Sequence, residues 1–216
     1  MLKAVLFDFD ETLGWRRKYA YRTYMDLITS LTPDLDPLHR EAIVQDCMIW
    51  DMRGYYSKRF ILENLQKKYG LNVPDKDEFY VWWNDTCAKN MVLYDGAEEI
   101  VKELRGRYKL GIVTNGSARG QYGKIDASGL AGYFDYRICS NDAESRKPDK
   151  GIFLNACEHL GVTPDEVLFI GDTFTSDILG ALELGMKAVW FNPTGHPCDY
   201  DVPQIKDLRE LKNYLD

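Results

Sequence analysis

The sequence has no long apolar run, no excess of positive charge and no paired cysteines. A membrane-spanning helix needs roughly 18 or more consecutive apolar residues, and no segment of the 216 residues approaches that length. The N-terminal segment also lacks a basic stretch followed by a long apolar one, so no secretory signal is expected. These absences predict a protein without a membrane segment.

Charge and cysteine content exclude further classes. The chain carries 34 acidic and 27 basic residues, a net charge of −7, which argues against non-specific binding to nucleic acid or anionic membranes. Its five cysteines are odd in number and form no CxxC or Cys/His cluster, so neither a disulfide framework nor a zinc site is expected. We therefore predict a cytoplasmic monomer or homodimer, with neither a nucleic-acid polymer nor a membrane as partner.

Five short apolar runs are present instead, each typical of a strand buried on both faces of a parallel sheet. They lie at 2–8, 110–115, 135–140, 166–172 and 187–192. Helix-like stretches at 97–108, 148–160 and 176–184 alternate with them. This alternation predicts right-handed βαβ units. The expected fold class is α/β, with an open, central parallel sheet.

Residues 15–90 interrupt this alternation. They contain no run typical of a buried strand, but four helix-like segments, near 15–31, 38–52, 55–69 and 75–90. Proline and glycine residues separate the segments. We therefore expect an α-helical domain of residues 15–90, inserted into a core formed by residues 1–14 and 91–216.

Polar residues follow the apolar runs, at the sheet edge where open α/β folds bind ligands. They are Asp8 and Asp10 after the first run, Thr114 and Asn115 after the second, Lys147 after the third, and Asp172 and Asp177 after the fourth. Scattered surface charge does not predict such a convergence from four separate segments.

Asp8 and Asp10 lie two residues apart in the segment FDFDETL. Two neighbouring carboxylates repel each other, so a cation or a shared proton is needed to keep them together. Oxygen ligands with room for water suit Mg²⁺, and an aspartate can also act as a nucleophile that forms an aspartyl-phosphate. The alternative is that both residues only cap a turn.

The other polar residues suit phosphate and metal binding, each with a simpler alternative. The Thr114 hydroxyl and the following backbone N–H groups can donate to phosphate oxygens, or the segment is an ordinary turn. Lys147 can supply positive charge to a transferring phosphoryl group, or it is a solvated lysine at a helix start. Asp172 suits a metal ligand, while Asp177 either supports the metal site or caps a helix.

In this order, the segments DFDETL at 8–13, VTNGS at 113–117, RKPD at 146–149 and GDTFTSD at 171–177 resemble the haloacid dehalogenase superfamily, specifically its phosphatase branch with a helical C1-type cap. The resemblance covers essentially the whole chain, and it implies a Rossmann-like three-layer core around the central parallel sheet, with an inserted α-helical cap domain. It also implies that Asp8 is the nucleophile and Asp10 the general acid and base. Phosphate would be bound by Thr114, Asn115 and the catalytic Lys147. Mg²⁺ would be bound by the Asp8 side chain, the Asp10 main-chain carbonyl and Asp172, with Asp177 in support. One departure is Glu11, where many relatives have glycine.

The function implied by the resemblance is Mg²⁺-dependent hydrolysis of a small phosphorylated metabolite through an aspartyl-phosphate. Asp10 argues against the superfamily's dehalogenases, which lack this second aspartate, and against its phosphonate hydrolases, which carry a small residue there. The substrate is left open between a nucleoside 5′-monophosphate and a sugar-phosphate or phosphoglycolate-type ester. A non-catalytic protein that binds phosphate or a partner through the same fold is the remaining alternative.

Two features of residues 15–90 bear on the substrate. The segment is rich in aromatic residues, which can stack on a nucleobase or pack inside the helical domain. Arg16, Arg17 and Lys18 follow one another, and they can bind a second anionic group or form a solvated helix face.

Overall fold

The computed structural model describes residues 1–215, which form two compact units. The sheet unit consists of residues 1–15 together with residues from Leu93 onward, and the helical unit spans Arg16–Val92. The division lies within one or two residues of the boundaries expected from the sequence.

The sheet unit contains one six-stranded sheet in the order β3-β2-β1-β4-β5-β6, with every neighbouring pair parallel. The strands are β1 (Ala4–Phe7), β2 (Lys109–Thr114), β3 (Tyr136–Cys139), β4 (Val167–Gly171), β5 (Lys187–Phe191) and β6 (Gln204–Ile205). All residues of β1 and β4 are buried, as expected when helices cover both faces of a parallel sheet. The predicted α/β fold class is therefore confirmed.

Helices connect these strands. They are α5 (Ala97–Leu104), α6 (Ala118–Ala127), α7 (Lys150–Leu160) and α8 (Gly180–Leu182), which continues a π-helical turn at Phe174–Leu179; short 3₁₀ turns lie at Ala131–Tyr133, Pro164–Glu166 and Leu208–Tyr214. Phe153 of α7 packs edge-to-face on Phe169 of β4, with ring centroids 5.1 Å apart. Gly111 of β2 lies so close to β1 that a Cβ atom there would be 2.5 Å from Leu6 Cδ2. Close apolar packing of this kind fixes the strands relative to one another and to the helices, and with them the positions of the strand ends.

The helical unit consists of α1 (Arg16–Leu31), α2 (Pro37–Asp51), α3 (Lys58–Tyr69) and α4 (Lys76–Lys89), with a 3₁₀ turn at Met52–Gly54. Local sequence sets its helix ends. Asp36, Ser57 and Asp75 accept hydrogen bonds from backbone N–H groups as N-caps of α2, α3 and α4. Gly70 ends α3 in the left-handed conformation.

Aromatic residues form much of the helical unit's core. Tyr19, Tyr24 and Trp83 are buried, and the rings of Tyr24 and Trp83 lie 4.5 Å apart. Tyr55 and Tyr56, by contrast, are exposed. Interior packing thus accounts for part of the aromatic content of this segment, and the exposed Tyr56 ring stacks on Phe60 with centroids 5.0 Å apart.

A buried carboxylate organises one end of the helical unit. Asp51 is fully buried, and it accepts hydrogen bonds from Arg16 Nη1 at 2.6 Å, from the Tyr24 hydroxyl at 2.8 Å and from the Lys58 ammonium. Burial raises the pKa of Asp51, but the two cations outweigh burial and hold it well below its ordinary value. Arg16 is therefore part of a buried ion network, not of a solvated helix face.

The backbone beside this network adopts unusual conformations. Met52 and Arg53 have φ angles of 43° and 60°, in the left-handed region that non-glycine residues rarely adopt. Gly54 has φ 92°, and a Cβ atom there would lie 2.9 Å from Arg16 Nη2. The positive φ angle favours glycine at this position, and any larger residue would also displace the Arg16 guanidinium from its present place.

The five predicted strands and the four helices of the insertion are confirmed, whereas strand β6, helix α6 and the 3₁₀ segments of the sheet unit were not predicted. Strand β6 has only two residues, and α6 has the sequence ARGQYGKIDA, in which two glycines weaken the helical pattern. The stretch expected at 148–160 is helical only from Lys150, because Asp149 is the N-cap of α7. Within residues 1–215, no helix combines the length and the apolar content needed to cross a membrane.

We predict that Asp51→Ala destabilises the protein by about 3–5 kcal/mol, because it leaves two buried cations without their carboxylate. Urea unfolding at neutral pH measures the effect. The matched control is Glu63→Ala, which removes an exposed ion pair with Arg59 on α3 and should leave stability unchanged. Equal stability of the two variants would show that the buried network is dispensable.

Candidate active site

The carboxyl ends of β1, β2 and β4 meet at one edge of the sheet, and β1 lies between the other two. Asp8 directly follows β1, and its backbone N–H donates to the Ile170 carbonyl of β4 at 2.8 Å. Thr114 is the last residue of β2, and Asp172 directly follows β4. Strand pairing therefore brings these residues, distant in sequence, to the same edge.

A buried lysine joins two of the predicted aspartates. Lys147 Nζ lies 2.6 Å from Asp8 Oδ1 and 2.9 Å from Asp177 Oδ1. All three side chains are less than one-tenth exposed. The arrangement excludes the interpretation of Lys147 as a solvated lysine.

This buried environment shifts the pKa values of both Asp8 and Lys147. Burial raises the pKa of Asp8 to about 6; Lys147 opposes the shift, and the negative charge of Asp177 adds to it. Burial lowers the pKa of the Lys147 ammonium, but the carboxylates of Asp177 and Asp8 outweigh burial and raise it above its ordinary value. Lys147 therefore keeps its positive charge throughout the neutral range.

Three carboxylates form a cluster suited to a metal ion. Oxygen atoms of Asp8, Asp172 and Asp177 all lie within 4.8 Å of one another. An all-oxygen donor set fits a hard cation such as Mg²⁺ better than zinc, which prefers nitrogen and sulfur. The backbone carbonyl of Asp172 accepts a hydrogen bond from Trp190 Nε1 at 2.8 Å, which fixes the loop that carries this carboxylate.

The loop after β4 is built around the Asp177 carboxylate. Thr173 N donates to Asp177 Oδ2 at 2.9 Å, and the Ser176 hydroxyl lies 3.1 Å from Oδ1. A Cβ atom on Gly171 would lie 2.4 Å from Asp177 Cβ, so the motif requires glycine here. The N-cap of this helical turn is Thr173, whose side chain makes no capping hydrogen bond within residues 1–215. The Asp177 carboxylate accepts from the backbone N–H of this residue, so it caps the start of the turn as well as pairing with Lys147.

The side chains of Thr114 and Asn115 differ in their hydrogen bonding. Thr114 Oγ1 is buried and has no hydrogen-bond partner within residues 1–215, which is costly unless a ligand or water completes it. Asn115 Nδ2 donates to the Lys147 carbonyl at 3.0 Å, and Lys147 N donates to Asn115 Oδ1 at 2.9 Å. The Asn115 side chain thus holds the Lys147 backbone, and its role in phosphate binding stays a prediction.

Asp10 contacts two residues that the sequence motifs do not include. Lys124 Nζ lies 2.7 Å and 2.5 Å from the two carboxylate oxygens of Asp10, and Gln121 Nε2 donates to Oδ2 at 3.1 Å. Both residues lie on the unpredicted helix α6. Ser117 is its N-cap, with a side chain that accepts a hydrogen bond from Gly120 N; a serine at this position was the available sequence signal.

Lys124 also changes the charge balance of the site. Asp8, Asp10, Asp172 and Asp177 face two lysines, Lys147 and Lys124. If all these groups are ionised, the net charge is −2, which one divalent cation balances. The oxygen donors and the net charge are therefore both compatible with a hard divalent cation such as Mg²⁺.

Glu11, the departure from the family pattern, has a local explanation. Its φ angle is 64°, a conformation for which glycine is usual. Its buried carboxylate accepts a hydrogen bond from the Tyr94 hydroxyl at 2.7 Å. Tyr94 in turn stacks on Trp15 and meets Phe191 edge-on, with centroid distances of 5.3 and 5.0 Å. These contacts anchor the loop after β1 with a side chain that glycine lacks.

The chain is similar to known phosphatases over most of its length. The family model described as haloacid dehalogenase-like hydrolase matches residues 5–191. The N-acylneuraminate-9-phosphatase of Mus musculus is 37% identical over 210 residues, covering 90% of this chain and 84% of the relative. The pyrimidine 5′-nucleotidase YjjG of Escherichia coli is 36% identical over 227 residues, covering 96% of each chain.

A solved structure is similar over the full chain. The HAD-hydrolase YfnB of Bacillus subtilis matches with a TM-score of 0.77 and 26% identity, covering 100% of this chain and 99% of that one. It was determined bound to magnesium and is described as revealing interdomain movement.

The raised pKa of Asp8 predicts a pH-dependent stability. The folded protein binds this proton more tightly than the unfolded chain, so the contribution is complete below about pH 4 and is lost as pH rises through about 6. In EDTA, we expect Asp8→Asn to gain free energy of unfolding relative to the wild type as pH rises between these values. Urea unfolding at several pH values measures the difference.

The control for this pH series is Asp165→Asn, at an exposed carboxylate just before the opposite end of β4. It should follow the wild-type curve throughout. A difference between Asp8→Asn and the wild type that is constant with pH would contradict the assignment of a raised pKa to Asp8.

Proposed function

The chain belongs to the haloacid dehalogenase-like hydrolase family and is a phosphatase, and we propose that it hydrolyses small phosphate monoesters through an aspartyl-phosphate on Asp8, with Mg²⁺. The observation that carries the proposal is the buried Asp8–Lys147–Asp177 arrangement beside Asp172. It combines a nucleophile, a fixed positive charge and an oxygen-lined cation site within one cluster.

The proposed reaction has two steps. A carboxylate oxygen of Asp8 attacks the phosphorus atom, the bond from phosphorus to the ester oxygen breaks, and Asp10 gives a proton to the departing alcohol. A water molecule, giving a proton to Asp10, then attacks the phosphorus of the aspartyl-phosphate, and the bond between phosphorus and the Asp8 oxygen breaks. Release of inorganic phosphate restores the Asp8 carboxylate and the protonated Asp10.

Positive charge and hydrogen-bond donors are needed around the transferring phosphoryl group. Lys147 supplies one fixed charge, and the unpartnered buried hydroxyl of Thr114 is a donor whose partner we propose to be a phosphate oxygen. Asp8, Asp172 and the main-chain carbonyl of Asp10 would hold Mg²⁺, with Asp177 in support. When bound, Mg²⁺ supplies the charge that brings an anionic ester close to the carboxylates.

The substrate we propose is a nucleoside 5′-monophosphate. Its support is the similarity to the pyrimidine 5′-nucleotidase YjjG across 96% of both chains and the exposed rings of Tyr55 and Tyr56 in the helical unit, which we propose acts as the cap domain of this family. A sugar-phosphate is the second candidate, because the chain is 37% identical to an N-acylneuraminate-9-phosphatase over 90% of its length.

Phosphate release is the first test of this function. We expect turnover of p-nitrophenyl phosphate with Mg²⁺, its loss in EDTA, and a fall of at least about a thousandfold in Asp8→Asn because the nucleophile is removed. A panel of nucleoside 5′-monophosphates, sugar phosphates and phosphoglycolate ranks the substrates. Asp165→Asn should keep full activity, and full activity in Asp8→Asn would overturn the mechanism.

Metal binding has a readout that needs no turnover. Mg²⁺ should raise the melting temperature of the wild type by at least about 2 °C, since a ligand that binds only the folded state stabilises it. Asp172→Asn should reduce this shift because it removes one carboxylate from the cluster. An undiminished shift in that variant would place the ion elsewhere.

A further inference from the structure

The Asp10 carboxylate is held by side chains that no motif of the active site includes. Lys124 Nζ contacts both of its oxygens, at 2.7 and 2.5 Å, and Gln121 Nε2 donates to Oδ2 at 3.1 Å. Lys124 is 7% exposed and Gln121 5% exposed. A buried lysine needs a compensating negative charge, and its ion pair with Asp10 provides one. The contacts therefore belong to the built interior of the sheet unit.

Helix geometry explains why these two residues act together. Residues three apart lie on the same face of an α-helix, so Gln121 and Lys124 of α6 both face Asp10. Gly116 precedes the helix with φ 145°, and a Cβ atom there would lie 2.5 Å from Gln121 Nε2. A glycine at this place thus leaves the space that the Gln121 amide occupies.

Gln121 also connects the two catalytic aspartates. Its Nε2 donates to the Asn115 carbonyl at 2.9 Å as well as to Asp10. Asn115 in turn is bonded to the Lys147 backbone, and Lys147 is paired with Asp8. These hydrogen bonds therefore link Asp10 to Asp8 through Gln121, through Asn115 directly after β2, and through Lys147 in the loop between β3 and α7.

The Gln121 amide is oriented for donation at the expense of its other end. Its Oε1 is buried and has no hydrogen-bond partner within residues 1–215, although buried acceptors are usually satisfied. This orientation of the amide lowers the stability of the fold. In exchange, the Asp10 carboxylate receives a hydrogen bond from Gln121 in addition to those from Lys124. Such a conflict between stability and geometry is typical of functional sites.

We propose that Lys124 and Gln121 are positioning residues for Asp10. Without them, the carboxylate loses these contacts and still experiences the repulsion of the Asp8 carboxylate. With them, it has one orientation, in which it exchanges a proton with the ester oxygen and with water. The inference rests on the proposed function, because it assigns Asp10 to those proton transfers.

Lys124→Met tests the inference through the choice of leaving group. The constant kcat/KM covers the steps up to departure of the alcohol, and an alkyl alcohol needs a proton from Asp10 far more than p-nitrophenolate does. We expect kcat/KM for the best alkyl ester of the substrate panel to fall by about tenfold or more relative to that for p-nitrophenyl phosphate. Lys124→Arg, which keeps the charge and the donors, should recover part of the loss.

A double-mutant cycle separates positioning from a general effect on folding. In an Asp10→Asn background, Lys124→Met should cause little further loss, because the group it positions is already absent. Gln121→Met, which leaves Lys124 in place, should change the same ratio in the same direction and serves if Lys124→Met does not fold. Lys102→Met, at an exposed lysine paired with Glu98 on α5, is the control and should leave the ratio unchanged.

The outcomes distinguish this inference from the proposed function. Equal losses for both kinds of ester, or an undiminished loss in the Asp10→Asn background, would overturn the positioning role while leaving the phosphatase mechanism intact. A folded, Mg²⁺-supplied wild type that turns over no ester of the panel would overturn the mechanism, and the positioning role with it.

Discussion

The active-site end of the sheet depends on one buried ammonium group between two carboxylates. Lys147 Nζ lies 2.6 Å from Asp8 and 2.9 Å from Asp177, and these three residues come from three different strand ends. Two buried carboxylates this close repel each other unless a cation separates them. Lys147 therefore holds together segments that are far apart in the sequence, and its own backbone is fixed by Asn115.

A second pairing of a lysine with an aspartate is found at Asp10. Lys124 forms an ion pair with this carboxylate, and the four aspartates of the site then face two lysines. Acidic residues that lie this close together need nearby cations and hydrogen-bond donors to offset their mutual repulsion. Gly171 and Gly116 contribute by leaving space for Asp177 and Gln121.

The helical unit uses a related arrangement for stability. Asp51 is buried between Arg16 and Lys58, and burial lowers the pKa of Lys58 to about 8, although Asp51 opposes that shift. The left-handed residues Met52 and Arg53 show that the chain accepts backbone strain beside this network. Arg16, the first residue of a run of three basic residues in the sequence, thus lies in the interior of the helical unit, paired with Asp51.

Local sequence patterns were enough to predict the fold class, the five longer strands, the helical insertion and the placement of five polar residues at one sheet edge: Asp8, Thr114, Lys147, Asp172 and Asp177. These follow from local patterns, because buried parallel strands are continuous apolar runs and their carboxyl ends share an edge. The tertiary structure alone decided the partners. Helix α6 has a weak local signal, so Lys124 and Gln121 could be assigned to Asp10 only when packing placed that helix beside β1. Asp51 likewise became a partner of Arg16 only through folding across 35 residues. A periodic pattern specifies which face of an element is buried, but the pairing of two distant side chains depends on how whole elements pack, which no local pattern contains.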